Sequence, residues 1–446
     1  MRRLALVVCL ALTPLAAAQI GLPGARLPQL PAVGLPNLPA ALPPGSAGEV
    51  TVGELDPSRL RQLHAVRIRE LLRRHPDVLE ADPHGDPIVR GEVLALAPSP
   101  AAVQAAIAAG FSVRRELALD ALGLRIAVLQ ASGKTARALQ QLQTRDPTGT
   151  YDFNHIYLEA GAATLTAADG ARGGAQTSDV SAPAPDPGAG ISVGLIDSGV
   201  DERHDVFRGL TVERHGCTGQ AVPAAHGTAV ASLLVGRAPA FHGAAPGAAL
   251  YAADVFCGKP TGGSVEAVAE GFAWLMQRHI AVINVSLVGP PDQLLERVVH
   301  EVVARGGLVV AAVGNDGPAA PPLYPAAWPG VVGVTGVDAH GRVLAEAERG
   351  AQVKFAAPGA DMVAARAGAG YLRVRGTSFA SPIVAGLLAL TLPAPDRSAA
   401  SEAVAALARS AQHPGVAGTD PDPTYGYGVV GVELRHQPAP GRLHSD

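Results

Sequence analysis

Aromatic side chains are scarce in this chain of 446 residues: Phe, Trp and Tyr together make up 4%. A core must therefore be built mainly from Ala, Val and Leu. Charge is scarce too, with Asp, Glu, Lys and Arg at 17% and a formal net charge of −4. Without a basic surplus, neither nucleic acid nor an anionic membrane surface is an expected partner. The apolar run Leu4 to Leu12 is too short to span a bilayer, and no later segment has the length and apolarity of a membrane span. Cysteine is nearly absent, at three residues. What is abundant is Gly (52) and Pro (38), so turns are many. Hydrophobic residues at 48% exclude a disordered chain, and the length suits two or three domains with at least one sizeable core.

The chain starts "MRRLALVVCLALTPLAAAQ", with two arginines, a short apolar run and small residues at Ala16 to Ala18. Residues 1–18 are expected to be a cleaved secretory signal peptide, which places the product outside the cell or in the periplasm. Cys9 would leave with it. Cys217 and Cys257 would then meet an oxidising compartment, where two cysteines are expected to pair. The alternative is two small buried hydrophobes.

Residues 19–48 are Pro-rich with a loose L-P-x-L-P recurrence, which suits an extended spacer. Residues 49–91 form a helical segment. Asp56 and Pro57 mark a helix start, and Leu60, Leu63, Val66 and Leu71 follow helical spacing. The arginines between them read as a solvated basic face. Residues 92–161 show strand, helix, strand, strand, helix in close succession, which predicts a small α+β domain. Residues 162–187 are rich in Ala, Gly, Asp, Ser and Pro and read as an exposed linker. From residue 188 to 435, apolar strand-like runs alternate with helix-like runs. Continuous apolar strands predict a mainly parallel sheet covered on both faces, an α/β fold. Residues 436–446 are a polar tail.

The chemistry-bearing residues fall at the ends of these apolar strands. Asp197 ends "VGLID", where α/β sheets place their sites. His226 stands in "AAHGTAVASLLVG" and suits general-base work near neutrality, with His204 and His215 as competitors. Ser378 stands in "RGTSFASPIVAG", at the start of an apolar helix whose free N–H groups favour developing negative charge. A serine hydroxyl needs a base to become a nucleophile, and Asp, His, Ser is one of the known chain orders for that triad. Asn315 in "AAVGNDGP" is a side-chain donor at a strand end.

Taken together, "LIDSGV", "HGTAVASLLVG", "VINVSLVG", "AAVGNDG" and "GTSFASPIVAG" resemble the motifs of the subtilisin-like serine proteases, the subtilases. The resemblance covers about residues 188–435 and implies a three-layer subtilisin-like fold. It implies a serine endopeptidase in which Ser378 is the nucleophile, His226 the general base, Asp197 its orienting partner and Asn315 an oxyanion donor. It assigns the first specificity pocket to Ser286, Leu287, Val288, Ala312, Val313 and Gly314, with Leu323 at the floor. Residues 92–161 resemble subtilase propeptides, which implies a self-processed zymogen whose propeptide inhibits its own enzyme, with residues 150–162 in the cleft and cleavage between about Tyr157 and Pro187. The substrates implied are proteins or peptides, acted on by a monomer. The family's calcium would need acidic clusters, and no ligands are assignable, so no metal or cofactor is expected.

The sequence departs from the family in two places. Phe379 follows Ser378 where many members have Met, and Val288 adds bulk where many have Gly. Leu323 and Val288 together predict a shallow apolar pocket taking Ala, Val or Leu before the cleaved bond. An esterase is disfavoured because no G-x-S-x-G occurs. The alternative reading is a catalytically idle subtilase fold acting as a binding or chaperone module.

Overall fold

The structure, a computed structural model, describes residues 57–160, 166–167, 186–239, 241–414 and 421–436. The expected signal peptide, the Pro-rich spacer, most of the linker and the tail beyond His436 lie outside the described residues.

Helix α1 (Pro57–Arg74) begins at the expected proline. Its inward face differs from the one its apolar residues suggested. Leu60 and Ile68 are buried, but Leu63 and Val66 are 52% and 51% exposed. The inward stripe is Leu60, His64 and Ile68, one residue every turn or so. It includes a histidine, whose Nδ1 lies 2.8 Å from Asp316 Oδ2. A count of apolar residues alone misses a stripe with a polar member. The basic face is also not wholly solvated: the Arg61 guanidinium reaches the Ala319 carbonyl at 3.4 Å.

An antiparallel sheet follows, with spatial order Thr150–Glu159, Pro87–Leu96, Leu124–Gln130, Ser112–Leu119. Helix α2 (Pro100–Ala108) is capped by Ser99, whose side chain accepts from the Ala102 N–H. It packs with α3 (Thr135–Arg145) on one face, around Ala106, Leu139, Leu142, Ala127 and Phe153. The other face carries Leu94, Ile126 and Val128 into a core shared with two helices of the larger α/β region. Those helices are α5 (Val265–Gln277) and α6 (Gln293–Ala304). Their N-termini are met by polar groups of the strand Thr150–Glu159. Asn154 Oδ1 accepts from Glu266 N–H at 3.3 Å, and Asp152 Oδ2 accepts from Gln293 N–H at 2.9 Å. These bonds satisfy helix donors that have no partner within their own helix. Arg115 forms a forked pair with Glu266. His155 is buried and donates through Nδ1 to Asp292 at 2.8 Å.

The α/β region is built on a seven-stranded sheet, every neighbouring pair parallel. In space the strands run Val353–Pro358, Val332–Val337, Leu308–Ala312, Val282–Val285, Ser192–Asp197, Ala249–Asp254, Val212–His215. The chain starts on Ser192–Asp197, moves to one side, then returns to build the other. That strand is therefore the topological switch point, where open α/β sheets form their crevice. Helices α4 (Ala225–Val235) and α7 (Thr377–Ala389) cover one face, with α8 (Arg397–Ser410) packed outside α7. Helices α5 and α6 cover the other. The three layers expected from the continuous apolar strands are present. With few aromatics, close packing rests on small residues: a Cβ on Gly386 of α7 would lie 2.5 Å from Ala244 Cβ. Among the described residues, no helix is long and apolar enough to cross a membrane.

Cys217 and Cys257 are joined, with Cα atoms 5.1 Å apart. Asp254 lies beside them; its Oδ1 accepts from the N–H groups of Phe256 and Cys257. The bridge closes a loop with a sequence separation of 40. It is expected to stabilise the fold by about 3–4 kcal/mol. A non-reduced proteolytic digest should yield the two cysteine peptides linked, and a Cys217→Ser/Cys257→Ser protein should melt several degrees lower. Two alkylatable thiols in the purified, unreduced protein would contradict this.

Candidate active site

Asp197 ends the switch-point strand and is fully buried. Its Oδ1 accepts from Ser198 N–H at 2.7 Å and lies 2.8 Å from His226 Nδ1. Helix α4 supplies His226 from its first turn, and the ring is 1% exposed. Burial alone would disfavour the imidazolium. The Asp197 and Glu159 carboxylates outweigh that cost and push the His226 pKa up to about 9. His226 Nε2 has no hydrogen-bond partner. The rival histidines are occupied elsewhere. His204 Nδ1 accepts from Val206 N–H and its Nε2 meets the Gly370 carbonyl at 2.9 Å. His215 stacks on Trp274 with ring centroids 5.0 Å apart.

Ser378 lies in the first turn of α7 and is fully buried. The turn before it needs Gly376, whose φ of 140° is one that other L residues rarely adopt. A ladder of hydroxyls and amides fixes the start of this helix. Ser286 Oγ donates to the Ser378 carbonyl at 2.9 Å, Asn284 Nδ2 donates to Ser286 Oγ at 3.0 Å, and Ser381 Oγ donates to Asn284 Oδ1 at 2.7 Å. Asn315 is held from the same helix, since Thr377 N–H donates to its Oδ1 at 3.1 Å. The Phe379 ring, fully buried, lies 5.5 Å from the His226 ring.

The chain itself occupies this crevice. The end of the strand Thr150–Glu159 lies between two edge segments of the α/β region. Tyr157 and Ile156 pair with Gly263 and Ser264 on one side, and Glu159 and Leu158 pair with Leu287 and Val288 on the other, all antiparallel. Ala160 N–H then donates to the Ser286 carbonyl at 3.1 Å. The Ala160 carbonyl oxygen receives Asn315 Nδ2 and, at 3.2 Å, Ser378 Oγ. The Ala160 methyl is fully buried against Val288, Ala312 and Leu323. Of the other pocket residues expected from sequence, Leu287 and Val313 turn their side chains into the core beneath. Gly314 accepts Glu348 N–H on its carbonyl at 3.2 Å.

Two groups in the crevice escaped the sequence reading. Glu159 lies among Asp197 and His226, with its Oε1 3.3 Å from Ser198 Oγ. Glu348 is buried behind Leu323, which donates its N–H to Glu348 Oε2 at 3.2 Å. Neither follows a short motif. Glu159 is readable only once residues 150–160 are placed in the cleft.

Residues 188–428 match the sequence profile of the subtilase family, Peptidase S8. M-protease of Shouchella clausii (strain KSM-K16) is 34% identical over 207 residues, 46% of this chain and 54% of that protein. Subtilisin Savinase of Lederbergia lenta is 34% identical over 207 residues, covering 76% of its length. Subtilisin DY of Bacillus licheniformis is 32% identical over 262 residues, 56% of this chain and 92% of that one. The matched part thus spans about half the length of M-protease and most of subtilisin DY. In fold, the chain is similar to fervidolysin from Fervidobacterium pennivorans, a keratinolytic enzyme related to subtilisin, with a TM-score of 0.64 at 20% identity over 80% of this chain and 62% of that one. The protein with this crevice belongs to the subtilase family.

The charge state of His226 can be measured. In the full-length Ser378→Ala protein, imidazole resonances should show His226 protonated at pH 7 and titrating near pH 9. The raised pKa means the charged form is present below this range and is lost as pH climbs through it. Glu159→Gln should lower that pKa. A neutral His226 at pH 7 in the full-length protein would contradict the balance of burial and charge given above.

Proposed function

We propose that this protein is an exported serine endopeptidase, made as a precursor that its own N-terminal α+β domain inhibits and that it cleaves after Ala160. The observation that carries the reading is the Ala160 carbonyl. It lies on a strand paired along both edges, with Asn315 Nδ2 and Ser378 Oγ donating to its oxygen. Extended peptides recognised by added strand pairing present their main chain to a site in just this way.

In the reaction, Ser378 Oγ attacks the carbonyl carbon of the bound peptide, and its proton passes to His226 Nε2. Asp197 holds the imidazole by its Nδ1–H and stabilises the imidazolium that forms. Negative charge develops on the carbonyl oxygen, where Asn315 Nδ2 already points. His226 returns the proton to the leaving amine, and an acyl-enzyme remains on Ser378. Water, deprotonated by His226, then releases the acid. In the precursor Glu159 sits beside this imidazole and favours its charged form, so self-cleavage runs through the minor neutral fraction of His226 and quickens as pH rises toward 9. Self-cleavage would leave the domain bound as product, with Ala160 at its new C-terminus.

The pocket around Ala160 supports a preference for small apolar residues before the cleaved bond. Val288, Ala312 and Leu323 pack around the Ala160 methyl, and none of them carries charge. A charged side chain buried there without a partner would cost several kcal/mol.

Wild-type precursor made without other proteases should convert to a form whose N-terminus is Gly161. Ser378→Ala should stay full length. Once an added protease has removed the N-terminal domain, Ser378→Ala or His226→Ala should lower kcat by about 10⁴ to 10⁶, and Asn315→Ala by about 10² to 10³. A fluorophosphonate should label Ser378 in wild type. Absence of label together with absence of peptide hydrolysis would favour the idle binding module instead.

A further inference from the structure

The pocket that receives Ala160 has an unused acid behind it. Glu348 is fully buried, and its Oε1 has no hydrogen-bond partner. The residue is fixed from both ends. Its N–H donates to the Gly314 carbonyl, and its Oε2 accepts from Leu323 N–H, each at 3.2 Å. A Cβ built on Gly314 would lie 2.5 Å from Glu348 Oε1 and 2.9 Å from Leu323 Cδ1. The carboxyl and the leucine side chain therefore lie side by side against one pocket wall. Leu323 also meets Ala160, Val288 and Ala312. Leu323 thus touches both the cluster that holds the Ala160 methyl and the Glu348 carboxyl.

A buried carboxyl with an idle oxygen is unfavourable unless something else uses it. Nothing in the proton transfers above involves Glu348. Its neighbour Glu346 is already paired with Arg375 at 2.8 Å, whereas Glu348 faces no cation. Burial, and then the nearby Asp316 carboxylate, push the Glu348 pKa up to about 9, so it is held neutral when the pocket contains only a methyl group.

We propose that Glu348 is a masked specificity determinant of this pocket, with the Leu323 side chain separating the substrate from a carboxyl placed to bind a Lys or Arg side chain. The inference rests on the protease reading and deepens it, because it names the residue that decides which substrate class the pocket can take. With Leu323 in place, the pocket is a shallow apolar cup. With Leu323 shortened, a long cationic side chain reaches Glu348, which ionises by losing its proton to solvent as the cation arrives. A large aromatic side chain would fill the same space without pairing the acid.

The test is hydrolysis of peptides that differ only in the residue before the cleaved bond: Ala, Leu, Phe, Lys or Arg. The proteins compared are wild type, Leu323→Gly, Leu323→Gly/Glu348→Gln and the milder Leu323→Ala. Fluorophosphonate labelling counts intact sites in each. Wild type should prefer Ala. Leu323→Gly should raise kcat/KM for Lys and Arg by about tenfold to a hundredfold, the range expected for one charged hydrogen bond. Adding Glu348→Gln should abolish that gain while keeping any gain for Phe. Leu323→Ala should move the same way by less, so a misfolded Gly variant does not end the test. A gain for Phe alone, or a gain for Lys that survives Glu348→Gln, overturns the proposal while leaving the protease reading intact. An unlabelled, inactive wild type overturns both.

Discussion

Antiparallel pairing of residues 156–159 between Gly263–Ser264 and Leu287–Val288 is the constraint on which the rest depends. Register leaves no freedom here, since a slip of one residue would turn every side chain to the opposite face. With this register, Leu158 lies opposite Val288, and Ala160 reaches Ser286 and the Ser378 hydroxyl. The same strand is the edge of the N-terminal sheet, so pairing its end also sets that sheet down on α5 and α6. Asn154 and Asp152 then fall at the N-termini of those two helices. Helix donors left unpaired in either part alone find acceptors in the other. The crevice occupant and the domain interface are thus one structural feature.

The other side of the crevice owes its geometry to small and hydroxylated residues, not to bulk. Gly376 permits the turn into α7, and Gly386 lets that helix approach Ala244. The ladder Ser381, Asn284, Ser286 links α7 to the strand Val282–Val285 and its extension. Each polar group in it is buried and partnered, which fixes the helix start more tightly than apolar packing would. Phe379 places a large ring beside His226 without a polar atom that would compete for the imidazole.

Much of this was legible in the sequence, and for a physical reason. Apolar strands buried on both faces are continuous hydrophobic runs, so the parallel sheet and its strand ends announced themselves. Asp197, His226, Asn315 and Ser378 could be found because each ends such a run or opens a small-residue helix. The strand and helix order read over residues 92–161 is present too, with Leu124–Gln130 as one of its strands. What stayed hidden depends on contacts distant in sequence. The inward face of α1 contains His64, because its partner Asp316 lies on a loop far along the chain. Glu348 sits in a stretch with Glu346 and Arg349 that carries no recognisable motif, yet the fold closes Leu323 and Gly314 over it. A buried acid is invisible to a pattern that expects acids outside.

These hidden contacts share one electrostatic logic. The crevice is rich in acids: Asp197, Glu159, Asp316 and Glu348 all line it or lie just behind its walls. Like charges at this density repel, and burial strengthens the repulsion. Two remedies are visible. Glu348 is held in its neutral form by burial and by Asp316. The others gain cations from nearby: His226 lies beside Asp197 and Glu159, while α1 brings His64 to Asp316. Arg67, one turn further along α1, lines the same small cavity as Glu159, Asp316 and Leu323. Arg67, on a helix that sequence alone presents as a solvated basic face, is therefore part of the charge complement of the crevice. The helix also packs Ile68, with Leu71 and Leu72 beside it, on Leu79, Ile156 and Leu158 of the N-terminal domain, so charge matching over the acids supplements an apolar contact made within that domain. On the processing proposed above, release of the N-terminal domain would remove that complement, leaving Asp316 without His64 and the crevice more negative than in the full chain.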